Sequence, residues 1–445
     1  MADWKFISLL AISGFLNYFL AQIIAKKEEG AIKKLYFYLG IAFNIGILLY
    51  FKYFNFFVES FINLLNYKSD IDIHFTPFHI LLPLGISFFT FQLIGYLIDV
   101  YNEEIQPTND LLCFCTYLIY FPKILSGPIE RIQQFLPQIE KKREFDYPMA
   151  IDGLRQFLWG LFKKVVIANN CISFVNIIFD DFYNLQGSTL FIGAIVYQFS
   201  LYADFSGFTD MACGVSKLFG IKITNNFAFP FFSTNISDFW RKWHISLTTW
   251  MIDYVFTPLS FVLRRYRKYG LIVSIILTFV LVGLWHGANW TFIIFGVMHG
   301  LAFVPLIIWG VVFKETTIAK GRLFPSLKEI FGMTWLFLFL SITAIVFRSD
   351  SISNAYSYFT VLFSESLFEI PSLSSLPDFG FPFVVLCILI TAFLVVEWIG
   401  RSGEYALATV GINWPASIRW SFYYILIIAI AIFKGTHHQF IYFQF

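Results

Sequence analysis

The sequence predicts an all-α fold, a polytopic transmembrane helical bundle, and three observations carry that prediction. Hydrophobic residues make up 58% of the 445 positions, aromatics 21% and charged residues only 13%, too little polar surface to cover a water-soluble globule. Uncharged apolar runs recur at the length of about 20 residues that crosses a ~30 Å hydrocarbon core. The runs are continuous rather than alternating, and of the two structures that satisfy their own backbone in lipid, helices and closed barrels, this pattern fits helices.

In chain order, spans are expected over Phe6 to Ala25, Leu35 to Phe51, Phe75 to Ile98, Phe182 to Ala203, two within Gly270 to Phe313, Ile330 to Phe347, Phe379 to Val396, and Ile418 to Phe433. Leu111 to Ser126 is shorter and contains Pro122, with Pro128 just beyond; it reads as re-entrant. The first run lacks a small-residue cleavage site and leads straight into Lys26-Lys27-Glu28-Glu29, so it is expected to be a retained span rather than a signal peptide. No stretch between spans is long enough to fold alone, and residues 1–445 are expected to form a single membrane domain.

The net charge of +2 says little by itself, and no nucleic-acid partner is expected. Its distribution is more telling. Lys26 to Lys34, Arg131 to Arg143, Arg264 to Lys268 and Lys314 to Lys328 are basic, whereas Ser349 to Asp378 is mostly acidic and polar. The positive-inside rule puts the basic loops in the cytoplasm and the acidic loop outside. Gly270 to Phe313, flanked by Lys268 and Lys314, then forms a two-span hairpin, and counting onward places the tail outside. Cys113, Cys115, Cys171, Cys213 and Cys387 lack paired metal-ligand spacing and read as small core hydrophobes.

His286 lies midway along that hairpin, beyond mid-membrane, within Gly283-Leu-Trp-His-Gly-Ala-Asn-Trp. Ionisable groups in spans are costly and face protein interiors or wet cavities, so a functional role is the default reading. Gly283 and Gly287 permit close approach of another backbone or of a substrate. Asn289, about one helical turn away, is positioned to hold a carbonyl or orient the ring. An imidazole with an unperturbed pKa of ~6.5 can remove the proton of a hydroxyl attacking a thioester. The alternative is a core histidine bonded to a neighbouring helix.

A second Trp-His pair, Trp243-His244, lies in Phe239-Trp-Arg-Lys-Trp-His-Ile-Ser-Leu. Asp238 and Asp253 are candidates to fix a tautomer there, and Arg241 and Lys242 to reach an interface. Gln198, Tyr202, Ser206 and Asp210 recur every four residues and share a helix face, either lining a substrate path or bonding helices together. Trp243 and Trp285 are expected beside the same path. No nucleophile elbow, phosphate loop, dinucleotide fingerprint or zinc-protease motif is present, so no tightly bound cofactor or metal is expected. In the terminal Phe440-Ile-Tyr-Phe-Gln-Phe, Tyr442 is either an interfacial anchor or, because a phenol (pKa ~10) leaves far more readily than an alkoxide, an acyl relay.

These segments, with Gly85-Ile-Ser-Phe-Phe-Thr-Phe, Tyr120-Phe-Pro-Lys-Ile-Leu-Ser-Gly-Pro-Ile-Glu-Arg and Tyr202-Ala-Asp-Phe-Ser-Gly-Phe-Thr-Asp, carry a resemblance from Leu82 onward. The chain resembles the membrane-bound O-acyltransferases, in the bacterial branch of alginate and peptidoglycan O-acetyltransferases. The resemblance implies about 10 to 12 helices, some re-entrant, around a central tunnel in the bacterial inner membrane. It further implies an acetyl donor, such as acetyl-CoA, used from the cytoplasm for O-acetylation of a cell-surface polysaccharide. His286 would match the family's essential intramembrane histidine and His244 the supporting one. Phe440, Tyr442 and Phe445 match a terminal pattern thought to pass the acyl group to an exported SGNH-type acetyltransferase. Ile252 stands where the family usually has arginine, which puts a donor contact there in doubt. The rivals are D-alanyl transfer to teichoic acid and a proton-coupled transporter or flippase; the latter would favour inverted repeats, and none is visible.

Overall fold

The structure is a computed structural model that describes residues 4–68, 73–124, 127–314, 316–373, 382–436 and 438. The described residues contain helices and no strand, with one isolated bridge between Phe227 and Trp243. Seven helical stretches among them are apolar and long enough to cross a membrane, and two shorter apolar helices accompany them. The chain divides into two compact units.

The first unit comprises residues 1–144 with 221–223. It begins with α1 (Trp4–Lys26) and α2 (Ala31–Leu48), and a π turn carries α2 into α3 (Phe54–Lys68). Buried Asn17 and Asn44 exchange amide hydrogen bonds of 3.2 and 2.7 Å, tying α1 to α2 where lipid offers no alternative partner. The span expected over Phe75 to Ile98 forms only in its second half, as α4 (Ile86–Tyr101). Pro77 and Pro83 remove amide donors and bias the residues before them away from helix; Gly85, at φ 70°, then turns the chain into α4. The segment read as re-entrant contains α5 (Leu111–Ile119) and α6 (Phe121–Ile124), followed by α7 (Ile132–Glu140); Ser126 lies outside the described residues. The nine residues of α5 rise only about 14 Å, half of what a crossing needs. Asp110 caps α5 by accepting from the Leu112 and Cys113 amides.

The second unit comprises residues 145–220 and 224–445. It opens on α8 (Tyr147–Phe162), which passes through a π turn into α9 (Asn169–Asp180). Tyr147 to Asp180 is long and apolar enough to span, yet Asp152, Arg155, Lys163 and Lys164 hide it from a search for uncharged runs. Its charges are paired inside the unit: Lys163 with Asp210, and Lys164 with Asp204 at 2.5 Å. The run expected over Phe182 to Ala203 is instead α10 (Gly187–Leu218). Its 32 residues measure about 48 Å, so the polar stripe continues the same helix beyond the apolar part.

Three short helices follow, α11 (Ile236–Lys242), α12 (Ile245–Met251) and α13 (Thr257–Val262), then the hairpin α14 (Arg267–His286) and α15 (Trp290–Ala302). The unit is completed by α16 (Val304–Ile308), α17 (Leu327–Arg348), α18 (Ile352–Leu362), α19 (Phe383–Gly400) and α20 (Ala416–Ile432). Phe379, where a span was expected to begin, lies outside the described residues. Helices α14 and α15 meet backbone to backbone: a side chain at Gly283 would strike the Phe292 carbonyl, and one at Gly296 the Phe279 carbonyl.

Candidate active site

His286 is the last residue of α14. The helix stops there because Gly287 is extended and Asn289 caps the next helix, accepting from the Thr291 amide at 3.1 Å. An imidazole at a helix C-terminus sits beside unsatisfied carbonyls. The His286 ring is 4% exposed and meets Phe347 edge-on at 5.2 Å. Gly283 and Gly287 make room for protein rather than substrate, since a side chain at either would hit Phe292. Asn289 does not orient His286, a correction to the sequence expectation: the helix break removes the one-turn relation, and the Asn289 amide donates to the Asp350 carbonyl at 2.7 Å.

His244 caps α12 in the left-handed region, at φ 45° and ψ 53°, a conformation that costs a non-glycine residue roughly 1 kcal/mol. The surrounding backbone imposes it. Ala228 N–H donates to the Lys242 carbonyl and Ile245 N–H to the Asn226 carbonyl, both at 3.0 Å, while the Asn226 side chain accepts from Ser246 N–H at 3.1 Å. The pinned ring is fully buried, edge-on to Phe205 at 4.7 Å. His244 lies between spans, and burial pushes its imidazole down to about 3; it therefore acts as a neutral ring rather than as a cation. Trp285 lies between the two histidines, 5.4 Å from the His244 ring and 5.2 Å from that of His286.

The cavity beside His286 is walled by Trp243, Phe295, His299, Thr343, Phe347 and Gln198, among others, with about 40 Å³ of room for the centres of water-sized atoms. His299 is a site residue that sequence reasoning missed. Its Nδ1 accepts the indole N–H of Trp240 at 3.2 Å. Since indole only donates, the proton of this neutral ring sits on Nε2, 3.1 Å from Thr343 Oγ1, and Thr343 donates onward to the Leu340 carbonyl at 3.0 Å. The signal was present: His299 lies in the same uncharged hairpin as His286.

For Tyr202 and Asp210 the stripe on α10 resolves into helix-to-helix bonding, the second of the two readings, rather than path lining. Tyr202 O–H donates to Glu397 Oε2 at 2.6 Å, Trp159 N–H donates to Glu397 Oε1 at 2.9 Å, and Asp210 pairs with Lys163 and accepts from Gln156. Ser206 is buried on the same helix. Of the four, only Gln198 borders the cavity; its amide also donates to the Leu340 carbonyl at 2.6 Å. Asp238 is likewise corrected: its carboxylate takes Lys242 Nζ at 2.9 Å and does not border the cavity.

Phe440, Tyr442 and Phe445 lie outside the described residues. The chain leading to them is held on the second unit: Asn170 donates to the Phe433 carbonyl at 2.8 Å, and Ser173 Oγ is 2.9 Å from both Thr436 Oγ1 and His438 Nε2. Among the described residues no group of three His, Cys, Asp or Glu is placed to hold a metal ion.

Comparison with known proteins gives this arrangement a context. Residues 102–348 match the model of the membrane-bound O-acyltransferase family. The chain is 34% identical to the peptidoglycan O-acetyltransferase of Helicobacter pylori over 377 residues, covering 79% of this chain and 69% of that protein. It is 32% identical to the probable alginate O-acetylase AlgI of Azotobacter vinelandii over 418 residues, 92% of this chain and 79% of the relative. A teichoic acid D-alanyltransferase of Bacillus subtilis is 36% identical over 241 residues, 51% of this chain and 60% of the relative. With an all-helical membrane fold and two histidines around one buried tryptophan, the chain belongs to the membrane-bound O-acyltransferase family and is a multi-pass membrane acyltransferase.

Proposed function

We propose that this enzyme moves an acetyl group from a cytosolic thioester, such as acetyl-CoA, across the bacterial cytoplasmic membrane for O-acetylation of an envelope polysaccharide. The observation that carries this reading is the His286 ring, buried at a broken helix end on the wall of a small cavity. In the proposed step an acceptor hydroxyl attacks the thioester carbonyl and His286 takes its proton. The C–O bond forms, the C–S bond breaks, and the departing thiolate takes up a proton, leaving an ester and a free thiol. His244, held rigid and uncharged, supports donor positioning or charge stabilisation at one remove, through Trp285, whose ring stands between it and His286.

Tyr442 is proposed as the transient acceptor, handing the acyl group to an exported SGNH-type acetyltransferase. It lies four positions beyond His438, so its backbone reaches at most about 14 Å from that contact. Replacing His286 with Ala is expected to abolish polysaccharide acetylation at normal protein levels, and retained acetylation rejects the assignment. Tyr442→Phe keeps the apolar character and removes only the phenol; transfer at the wild-type rate would defeat the relay. D-alanyl transfer is the second reading, favoured by the teichoic acid D-alanyltransferase match over half the chain. Mass spectrometry of the esterified acceptor separates the two, since alanyl carries an amine and acetyl does not.

A further inference from the structure

Helix α20 falls short of a crossing. Its 17 residues rise about 26 Å, less than the ~30 Å hydrocarbon core. The chain leaves it against the side of α9: the Asn170 amide donates to the Phe433 carbonyl and to the Val166 carbonyl, both at 2.8 Å. Asn170 lies ten positions before the end of α9 at Asp180, about 15 Å along the helix. A polar segment that begins part-way along a span needs protein partners, and this one has them. Gly435 presses on Asn170, where a side chain would come within 2.6 Å of Asn170 Oδ1; Asn170 cannot swing aside without giving up its two carbonyl bonds. Ser173 Oγ, which donates to the Asn169 carbonyl at 2.9 Å, stands 2.9 Å from both Thr436 Oγ1 and His438 Nε2, and those two are 2.8 Å apart. Lys164 Nζ, paired with Asp204, reaches the His438 carbonyl at 3.4 Å.

We propose that Asn170 and Ser173, closing on Gly435 and His438, form a clasp that anchors the tail part-way along α9 and so positions Tyr442 for acyl capture. The inference rests on Tyr442 as the acyl relay. The step is the one given above: the phenol oxygen bonds the acetyl carbon, its proton passes to His286, and the C–S bond breaks, the thiolate taking up a proton. The clasp residues touch none of these atoms; they are positioning residues. A tethered acceptor meets its donor at an effective concentration that falls roughly as the three-halves power of the chain between anchor and acceptor. Moving the anchor from Phe433 to His438 shortens that chain from nine residues to four, which favours capture by roughly threefold on length alone.

The test uses the purified full-length protein in detergent, mixed with acetyl-CoA, and follows by mass spectrometry the rate at which acetyl appears on the C-terminal peptide containing Tyr442. His438→Ala is expected to slow loading by roughly threefold or more, and His438→Ala with Gly435→Val by roughly tenfold, since anchoring and orientation are then both lost. The acetyl-CoA concentration that half-saturates loading should stay at its wild-type value, as should the melting temperature, because neither the donor site nor the bundle is touched. His438→Gln presents an amide at about the reach of Nε2 and should recover most of the wild-type rate. Loading within twofold of wild type in the double variant overturns the proposal. A Gln variant as slow as the Ala variant overturns the bond to Ser173 as its basis, and a half-saturating concentration that rises along with the lost rate overturns the positioning role. Should the double variant not elute as a single folded species, Ser173→Ala, which removes the shared partner of Thr436 and His438, decides in its place, and a wild-type loading rate there overturns the clasp. Failure of the underlying relay is a separate outcome: the wild-type peptide would then carry no acetyl at all.

Discussion

Three histidines in the second unit do different physical work. His286 borders the cavity at the end of its helix. His299 has both nitrogens committed, one to Trp240 and one to Thr343, and so is a positioning residue for the indole wall. His299→Leu deprives Trp240 of its acceptor and leaves a buried indole donor, costing about 1–3 kcal/mol of stability. A thermal midpoint for His299→Leu equal to wild type would contradict the bond. His244 makes a pH prediction. An unfolded histidine takes up a proton below about pH 6.5, while the buried ring refuses one until about 3. The unfolded state binds more protons within that window, so stability falls as pH falls through it and is restored above it. His244→Gln should flatten the decline of the melting temperature between about pH 6.5 and 5, and a decline as steep as wild type contradicts the assignment. The sequence disclosed His244 and His286 through their Trp-His settings. His299 and the neutrality of His244 depend on contacts between distant segments.

At the scale of elements, the legible spans were those whose apolar character lies along the chain. The α14/α15 hairpin, α17 and α20 stand close to their expected limits. Local chemistry explains the misses: Pro77 and Pro83 hold the first half of one expected span out of helix, and four charges masked α8 and α9 because their compensation sits on α10 and elsewhere in the fold. Packing of α8 on α10 depends on glycines that no periodicity in apolar residues reveals. A side chain at Gly160 would meet the Gly207 carbonyl, one at Gly207 the Gly160 carbonyl, and Gly153 and Gly214 repeat the arrangement. Both pairs are seven residues apart along their helices, the geometry of close helix contact in lipid. Gly207→Leu is therefore expected to destabilise the fold by on the order of 1–3 kcal/mol, with Gly207→Ala less severe. An unchanged thermal midpoint for the Leu variant would show that the two backbones are not in contact.

For the whole molecule, composition settled the membrane class and motif order the family, while the placement of chemistry came from the fold. Helix α10 illustrates the division. Its four-residue polar period is plain in sequence, but its bonds to α17 and α19 through Gln198 and Tyr202 make it chiefly a structural spine, with Gln198 and Leu201 at the cavity. The central claim is that the His286 imidazole activates an oxygen nucleophile for acyl capture. The most direct test is the rate of thiol release from acetyl-CoA by purified wild type and His286→Gln, a variant that fills similar space without a basic ring nitrogen. The account predicts a loss of about a hundredfold or more with an unchanged elution profile and melting temperature, and a His286→Gln rate within a few-fold of wild type would contradict it.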